Sequence, residues 1–472
     1  MSSSTQLVVI GGGPGGYAAA FYAADLGMQV TLVDMEPNPG GVCLYRGCIP
    51  SKALLHVAKV ASEAKHASHW GLTYAEPKID LDKLRGFKDS VVQKLTGGLG
   101  QLSKQRKITF IQGKASFVDA KNLSIELAAG GTQALAFEHC IIATGSYPTR
   151  IPGLDVKSDR LMDSTGALDL PEIPKTLLVV GGGYIGLELG SVYAALGTKV
   201  TVVEMTDGLL PGADRDLVTF LARRLETTLH KILLKTRVTG MKEAKNGITV
   251  SMESPDGAKS DETYDRVLVS IGRRPNSAIP GLDKAGVKVN ERGFIPVDSA
   301  MRTNIEGISA IGDVVGEPML AHKASHEAKV AVEAMLGHKV AFEPQAIPAV
   351  VFTDPEVAWC GLTENDAKKQ GRKVEIAKFP WAALGRALAI DRPDGMTKLV
   401  IDPETERILG VGIVGVGAGE LIAEGVLAVE MAALASDLKL SIHAHPTMSE
   451  TMMEAAEVFF GHSTHVYRPK KK

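Results

Sequence analysis

Leu7-Val8-Val9-Ile10-Gly11-Gly12-Gly13-Pro14-Gly15-Gly16 decides the fold, because four apolar residues run directly into a glycine-rich turn and an alanine-rich stretch from Tyr17 to Leu26 follows. The apolar run reads as a buried parallel strand and the stretch beyond the turn as a helix. Within this Gly-x-Gly-x-x-Gly, Gly11 permits the tight turn and Gly13 lets a pyrophosphate approach the backbone. Gly16 lets helix and strand pack closely, with the phosphates at the positive helix N-terminus. A second strand, Gln29 to Val33, ends at Asp34, 23 residues after Gly11, where an acid can hydrogen-bond an adenosine ribose. The same grammar recurs further on. Thr176 to Val180 is a strand, Gly181-Gly182-Gly183-Tyr184-Ile185-Gly186 the turn and Leu187 to Leu196 the helix, and Lys199 to Val203 leads into Glu204, again 23 residues after the first glycine. Two such units in order predict a chain that binds two dinucleotides.

Charge indicates which two. Glu204 would accept from a free ribose hydroxyl and repel a 2′-phosphate, and no Arg or Lys follows until Arg215, so the second unit reads as a site for NAD rather than NADP. Beside the first unit lies Gly40-Gly41-Val42-Cys43-Leu44-Tyr45-Arg46-Gly47-Cys48-Ile49-Pro50-Ser51-Lys52, with two cysteines five positions apart. In a regular helix such residues are separated by about 7.5 Å of rise, whereas a disulfide needs Cα atoms within about 7 Å. A redox-active pair therefore calls for bent backbone, for which Gly47 and Pro50 supply reasons. A dithiol needs an electron carrier able to accept from it, which suggests FAD in the first unit and NAD in the second.

Composition sets the limits. The 472 residues suffice for about three domains. A net charge of −2 argues against nucleic acid as a main partner, and only four cysteines argue for a reducing compartment over a secreted disulfide framework. The N-terminus reads without a basic export signal and no long uncharged apolar window is present, so a cytoplasmic protein without a membrane span is expected. Arg468-Pro469-Lys470-Lys471-Lys472 reads as a solvated tail. A metal site is not expected: His322 and His326 stand at i, i+4, but nothing completes a ligand set.

The strands Ile141 to Ser146 and Val267 to Asn276 read as crossover points between units. Gly307 to Asp313 is a strand ending in an acid, where ligands bind in open α/β sheets, so Asp313 is either a partner for a cofactor sugar or the N-cap of the next segment. From about Pro344 the texture changes to alternating strands followed by a helical run from Glu420 to Ala435. This part carries His443-Ala444-His445-Pro446-Thr447-Met448-Ser449-Glu450. There a His with a Glu five positions later can form a base pair of imidazole and carboxylate, with His443 as competitor for the role.

With these residues assembled, the chain resembles the pyridine nucleotide-disulfide oxidoreductase family nearly end to end. The resemblance rests on Gly11 to Gly16, Gly40 to Cys43, Gly47 to Lys52, Ala143-Thr144-Gly145, Gly181 to Gly186 with Glu188, Gly272-Arg273-Arg274-Pro275-Asn276, Ala310 to Asp313, and His443 to Thr447 with Glu450. It implies an α/β fold of two Rossmann-like dinucleotide-binding domains plus a C-terminal α+β dimerisation domain. The expected bounds are 1–150 for FAD, 151–272 for NAD, 273–343 for a central domain completing the FAD site and 344–472 for the interface. Among the family's members it is most similar to those that oxidise protein-bound dihydrolipoamide with NAD⁺ in 2-oxo acid dehydrogenase complexes. A glutathione-type reductase and a mainly structural subunit of an acyltransferase complex are the alternatives. The implied form is a homodimer, with lipoyl domains and a core acyltransferase as partners, in which each subunit lends His445 and Glu450 to the other's Cys43 and Cys48. Cofactor contacts are expected from Gly11, Gly13, Gly16, Asp34, Gly41, Val42, Lys52 near the flavin, Ala115 at the adenine, Thr144, Gly145, Asp313 at the ribityl chain and Ala321. Further contacts are expected from Gly181, Gly183, Tyr184, Ile185, Gly186, Glu188, Glu204, Val238 and Gly272. Three departures from the family's pattern stand out. Tyr45 and Arg46 replace an Asn and a small apolar residue, Arg46 being expected to point to solvent. Gly412 stands where a His is usual and reads as neutral. Tyr184 is similar to the tyrosine that covers the flavin in glutathione reductase.

Overall fold

The structure is a computed structural model that describes residues 3–151, 153–154 and 156–467. The expected basic tail lies outside the described residues. The chain opens with β1 (Ser3–Ile10), α1 (Pro14–Asp25) and β2 (Val30–Asp34), so the strand, turn, helix and acid of the opening stretch form as their composition dictates. The short α2 (Gly41–Arg46) and the long α3 (Cys48–His66) and α4 (Leu81–Gln105) follow, then β3 (Thr109–Phe117), β4 (Asn122–Leu127) and β5 (Thr132–Ile142). Strands β3 and β5 each serve two sheets' worth of pairing. Thr109 to Gln112 run parallel to β2 and Leu135 to Ile142 parallel to β1, while Gly113 to Phe117 and Thr132 to Ala136 run antiparallel to the two sides of β4. A parallel nucleotide-binding layer and an antiparallel flap therefore share two strands.

After β6 (Ser146–Pro148) the chain enters a second parallel sheet. Its elements are β7 (Leu161–Met162), α5 (Ser164–Leu168), β8 (Thr176–Val180), α6 (Tyr184–Ala195), β9 (Lys199–Val203), α7 (Arg215–Thr228) and β10 (Lys231–Leu233). An antiparallel meander of β11 (Arg237–Ala244), β12 (Gly247–Glu253) and β13 (Lys259–Tyr264) comes next, and β14 (Arg266–Val269) then returns to the sheet, giving the order β10-β9-β8-β14-β7. The order reverses at β8, the switch point at which open α/β sheets bind ligands. The chain passes back through β15 (Arg273–Pro275), which pairs with β6, to β16 (Ile308–Ala310), which joins the first sheet beside β5, and to α8 (Ala321–Met335).

The remaining part is one antiparallel sheet with helices. It is built from β17 (Ala349–Val351), β18 (Glu356–Gly361), α9 (Glu364–Lys369), β19 (Glu375–Pro380), α10 (Gly385–Ala389), β20 (Met396–Ile401), β21 (Ile408–Gly415), α11 (Ala418–Glu430), α12 (Ala435–Leu440) and α13 (Glu450–Phe460). The single helical run expected from Glu420 to Ala435 is two helices, α11 and α12, with Ala432 at φ +53° between them. Among the described residues no helix is long and apolar enough to cross a membrane.

One buried charge cluster fastens this sheet to the second nucleotide unit. Lys398, 1% exposed, reaches Asp214 at 2.6 Å, Asp216 at 2.8 Å and Glu364 at 3.6 Å. These three carboxylates stand close enough to hold a metal ion, and the Lys398 ammonium takes that place. Lys378 adds a second cation, 2.7 Å from Asp216. Burial alone would raise the Asp216 carboxyl, but its bonds to Lys378 and Lys398 hold it below its usual value. Gly412 faces Lys398 across the β20–β21 pair, and a Cβ there would meet Leu217 at 2.8 Å and the Lys398 stem at 3.4 Å. The residue expected to be neutral therefore makes room for the buried lysine. Lys398→Met leaves buried carboxylates uncompensated and is expected to cost about 3–5 kcal/mol, measured by urea unfolding followed by tryptophan fluorescence. Because the Asp216 carboxyl is depressed, its share of this stability is present above the ordinary Asp range and is lost as pH falls below it. The gap between variant and parent should accordingly narrow in acid.

Candidate active site

A cavity of about 460 Å³ runs between the two nucleotide units, a volume in the range of small-molecule sites. Gly11, Gly13, Asp34, Gly41, Val42, Ala115, Thr144, Gly145 and Asp313 line it, together with Ala321, Tyr184, Ile185, Glu188, Lys52 and both Cys43 and Cys48. The structure thus brings most of the expected cofactor residues to one wall. Gly16 and Gly186 lie behind it, where a Cβ on Gly186 would come within 2.9 Å of the Val179 side chain, so they serve the helix–strand packing read from the sequence. Gly181, Gly183, Glu204 and Gly272 do not line this cavity. Val238 is on β11, packed against the core around Leu178 and Val180.

Each acid at a strand end fastens its own glycine turn. Asp34 accepts from the Gly12 amide at 2.5 Å and the Glu36 amide at 2.8 Å; Glu204 accepts from the Gly182 amide at 2.6 Å and the Thr206 amide at 2.7 Å. Burial pushes the Asp34 carboxyl up, against the Gly12 amide and the Arg46 charge, which lower it. Arg46 therefore does not point to open solvent: it pairs with Glu36, lines the cavity and lies 6.0 Å from the Tyr45 ring centroid. Tyr45 in turn donates to the Asn38 carbonyl at 3.1 Å. The Arg215 guanidinium is engaged by the carbonyls of Leu209, Leu210 and Ala213, so that cation is not presented to a phosphate beside Glu204.

The cysteines sit at a break between two helices. α2 ends at Arg46, Gly47 adopts non-helical φ −145° and ψ −119°, and α3 begins at Cys48. A Cβ at Gly47 would meet the Val42 carbonyl at 2.7 Å, so the break needs glycine. Pro50, expected to cause the bend, instead lies in the first turn of α3, where its missing N–H costs no helical bond. Both thiols are free and in hydrogen-bonding contact. Cys48 is pulled below an ordinary thiol, first by the hydrogen bond from Cys43 and then by the positive charge of Lys52. Cys43 is pushed up by the same bond and by burial. The two thiols therefore differ, Cys48 being the more readily ionised and Cys43 the more firmly protonated.

Glu188 holds the lysine in place. Its Oε2 accepts from Lys52 at 2.8 Å and from Ser51 at 3.1 Å, and its Oε1 accepts from the Phe352 amide at 2.9 Å. The Lys52 ammonium also lies 4.3 Å from the Phe352 ring centroid. Asp313 accepts from Ser146 at 2.5 Å, and Arg273 donates to the same Ser146 oxygen at 2.7 Å. It lies within a short 3-10 turn and caps no helix, which removes the second of its two readings. Tyr184 lines the cavity and is 42% exposed. Phe352 and Tyr17 are not among the site residues expected from the sequence, and Arg273 enters there only as part of a family motif. Tyr17 follows the third glycine, and its phenol is raised by burial and by the charges of Cys43 and Cys48.

On the C-terminal sheet the two histidines separate clearly. His443 has an 8% exposed side chain bonded to Glu424 at 2.7 Å and to the Ser441 carbonyl at 2.9 Å, so both ring nitrogens are occupied. His445 has a 75% exposed side chain and donates from Nδ1 to Glu450 at 2.9 Å, leaving Nε2 open. Burial would raise the Glu450 carboxyl, but the Thr447 amide and His445 override it and hold the group below the usual range. Within one chain the structure does not bring His445 to the cysteines, since the cavity is lined by residues no later than Ala324. Lys52→Met is expected to move thiolate formation at Cys48 in the reduced protein about one unit to higher pH, read from ultraviolet thiolate absorbance during a pH titration.

Comparison with known proteins agrees with this geometry. The pattern of the pyridine nucleotide-disulphide oxidoreductases matches residues 5–328, and that family's dimerisation domain matches residues 347–456. Dihydrolipoyl dehydrogenase of Haemophilus influenzae is 50% identical over 468 residues, covering 99% of this chain and 98% of that protein. The enzyme of the same name from Geobacillus stearothermophilus is 46% identical, covering 98% and 97%. Among solved structures, LpdA from Mycobacterium tuberculosis superposes with a TM-score of 0.89 at 26% identity, covering 96% of this chain and 99% of that one. The HOCl-induced flavoprotein disulfide reductase RclA from Escherichia coli, solved as a Cu(II) complex, gives 0.86 at 29% identity, covering 97% and 100%. Matched in sequence and in fold over nearly its whole length, the chain belongs to the pyridine nucleotide-disulphide oxidoreductase family.

Proposed function

We propose that this chain is a dihydrolipoyl dehydrogenase: it oxidises protein-bound dihydrolipoamide to lipoamide through the Cys43–Cys48 pair and reduces NAD⁺ to NADH. The observation that carries this reading is the placement of Cys43 and Cys48, with Lys52 held by Glu188, on the cavity that Gly11 and Gly13 of the first turn also line. The residues present fit FAD. Gly11, Gly13 and Gly41 leave the cavity wall as bare backbone, and a Cβ on Gly41 would come within 2.5 Å of the Gly13 Cα, as suits a pyrophosphate cradle. Asp34 and Ala115 would hold the adenosine end, Asp313 the ribityl chain and Lys52 the reactive ring. The chemistry a bound flavin supplies is acceptance of the dithiol's electron pair and its delivery as hydride to NAD⁺. Glu204, buried at 9% exposure with no free cation from Arg215 beside it, supports NAD over NADP.

The chain's own residues account for the thiol half of the reaction. His445 Nε2 takes the proton of one substrate thiol, and Glu450 steadies the imidazolium. The substrate thiolate attacks the Cys43 sulfur of the oxidised pair, the Cys43–Cys48 bond breaks, and Cys48 leaves as thiolate. A leaving thiol of low proton affinity departs faster, which is why Cys48 and not Cys43 suits that role. Cys43 then departs with the proton held by His445 as the second substrate thiol, its own proton passing to the freed His445, attacks the mixed-disulfide sulfur and closes lipoamide. His445 would come from the partner subunit of a homodimer joined through the C-terminal sheet. The lipoamide would come from lipoyl domains of a 2-oxo acid dehydrogenase complex and its core acyltransferase, in the cytoplasm.

Purified yellow protein should turn over dihydrolipoamide with NAD⁺ and leave glutathione untouched, with NADPH reducing the flavin roughly a hundredfold more slowly than NADH. Turnover of glutathione with NADPH instead would replace this reading by a glutathione-type reductase. Cys43→Ser and Cys48→Ser should each abolish dihydrolipoamide turnover with FAD still bound. His445→Gln should lower it about 10²–10⁴-fold.

A further inference from the structure

Helix α13 carries a second imidazole–carboxylate pair that the reaction above does not use. Glu454 follows Glu450 by one helical turn, which places the two carboxylates on one face with Cβ atoms about 5–6 Å apart. Both residues are buried, Glu450 at 9% and Glu454 at 3% exposure. Two buried anions at that spacing repel, and each is met by its own histidine: Glu450 by His445, Glu454 by His465 Nδ1. Ser463 also donates to Glu454 at 2.8 Å, and the Val466 amide donates to Ser463 at 3.1 Å. The chain after Gly461, which ends α13 at φ +72°, therefore folds back along the helix, and Val466 packs on the core of the C-terminal sheet.

We propose that His465 and Glu454 are a positioning pair for the His445–Glu450 base: the returning segment supplies an imidazole that, when protonated, compensates the second buried carboxylate and so sets how readily His445 takes up a proton. This inference rests on His445 being the base of the proposed reaction. His465 is near enough to Glu450 for its charge to help hold that carboxyl down. Other charged groups around α13 are engaged elsewhere or carry the opposite sign. From α12, the Lys439 ammonium lies 4.8 Å from the Phe460 ring centroid, and Asp437 bonds the Leu434 amide. From β19 and β20, Lys378 and Lys398 pair with Asp216, and β19 also carries Glu375. α13 itself carries Glu457, and His462 follows its end. His443 is held by Glu424. Among the described residues, the ion pair to Glu454 comes from His465.

The signs differ between the two partners, which makes the idea testable. In His465→Gln a positive charge leaves Glu450 and Glu454 loses its counter-charge; both changes favour a proton on His445, so the free base appears at higher pH. In Glu454→Gln an anion is removed while the amide can still bond Ser463 and His465, so the free base appears at lower pH. The experiment follows kcat/KM for dihydrolipoamide against pH in the full-length, FAD-loaded protein. The acid limb is expected to shift by roughly half a unit upward in His465→Gln and downward in Glu454→Gln. His465→Lys, which restores a cation, should return the limb to its parental position. NADH oxidation by an artificial electron acceptor, which does not use His445, should be unchanged. Limbs that coincide with the parent, or that move in the same direction in both variants, overturn the proposal. The side chain of His465 is 54% exposed, so its Gln and Lys variants decide the matter even if Glu454→Gln does not fold. A parent protein inactive on dihydrolipoamide would overturn the assigned reaction instead.

Discussion

The site depends on one buried carboxylate. Glu188, on α6 of the second nucleotide unit, is 3% exposed and accepts from Lys52 and Ser51 on the cysteine helix and from the Phe352 amide beside the C-terminal sheet. Three parts of the chain that are far apart in sequence meet on its two oxygens. A buried anion is tolerated only when such partners satisfy it. The requirement works in both directions: Glu188 fixes the Lys52 ammonium where it can act on Cys48, and the chain must close into its final arrangement before Glu188 can be buried without penalty.

A second constraint is repeated. In both nucleotide units the acid at a strand end accepts the amide of the residue after the turn's first glycine, Gly12 or Gly182, and the amide two residues after itself. These bonds hold the turn in shape and keep the carboxylate at the end of its strand. The two acids differ in what surrounds them. Around Glu204 the guanidinium of Arg215 is turned onto backbone carbonyls, whereas around Asp34 the guanidinium of Arg46 is bound to Glu36 and its charge reaches the Asp34 carboxyl.

Much of this was legible from local pattern, because a phosphate cradle requires glycines at fixed spacing between a strand and a helix. The two turns and their acids rest on such local requirements. Features made by distant residues were not legible. Lys398 and Asp214 are 184 positions apart, so neither the buried lysine nor the reason for Gly412 could be read from neighbours. Pro50 was misjudged because its effect depends on where a helix starts, and Arg46 because its partner Glu36 lies across a loop. Glu454 looks like an ordinary helix residue until the segment carrying His465 returns to it.

The sharing of β3 and β5 between the parallel layer and the antiparallel flap leaves the first sheet with an open place beside β5, and that place is taken by β16. Every strand of the second sheet lies between β5 and β16 in the chain. During synthesis the second sheet is therefore complete before the first can be. The Ile308–Ala310 strand has to find Cys140 to Ile142 across a finished neighbour, a long-range pairing of the kind that slows folding. The cavity wall holding Asp313 therefore depends on a strand pairing that spans the whole second sheet in sequence.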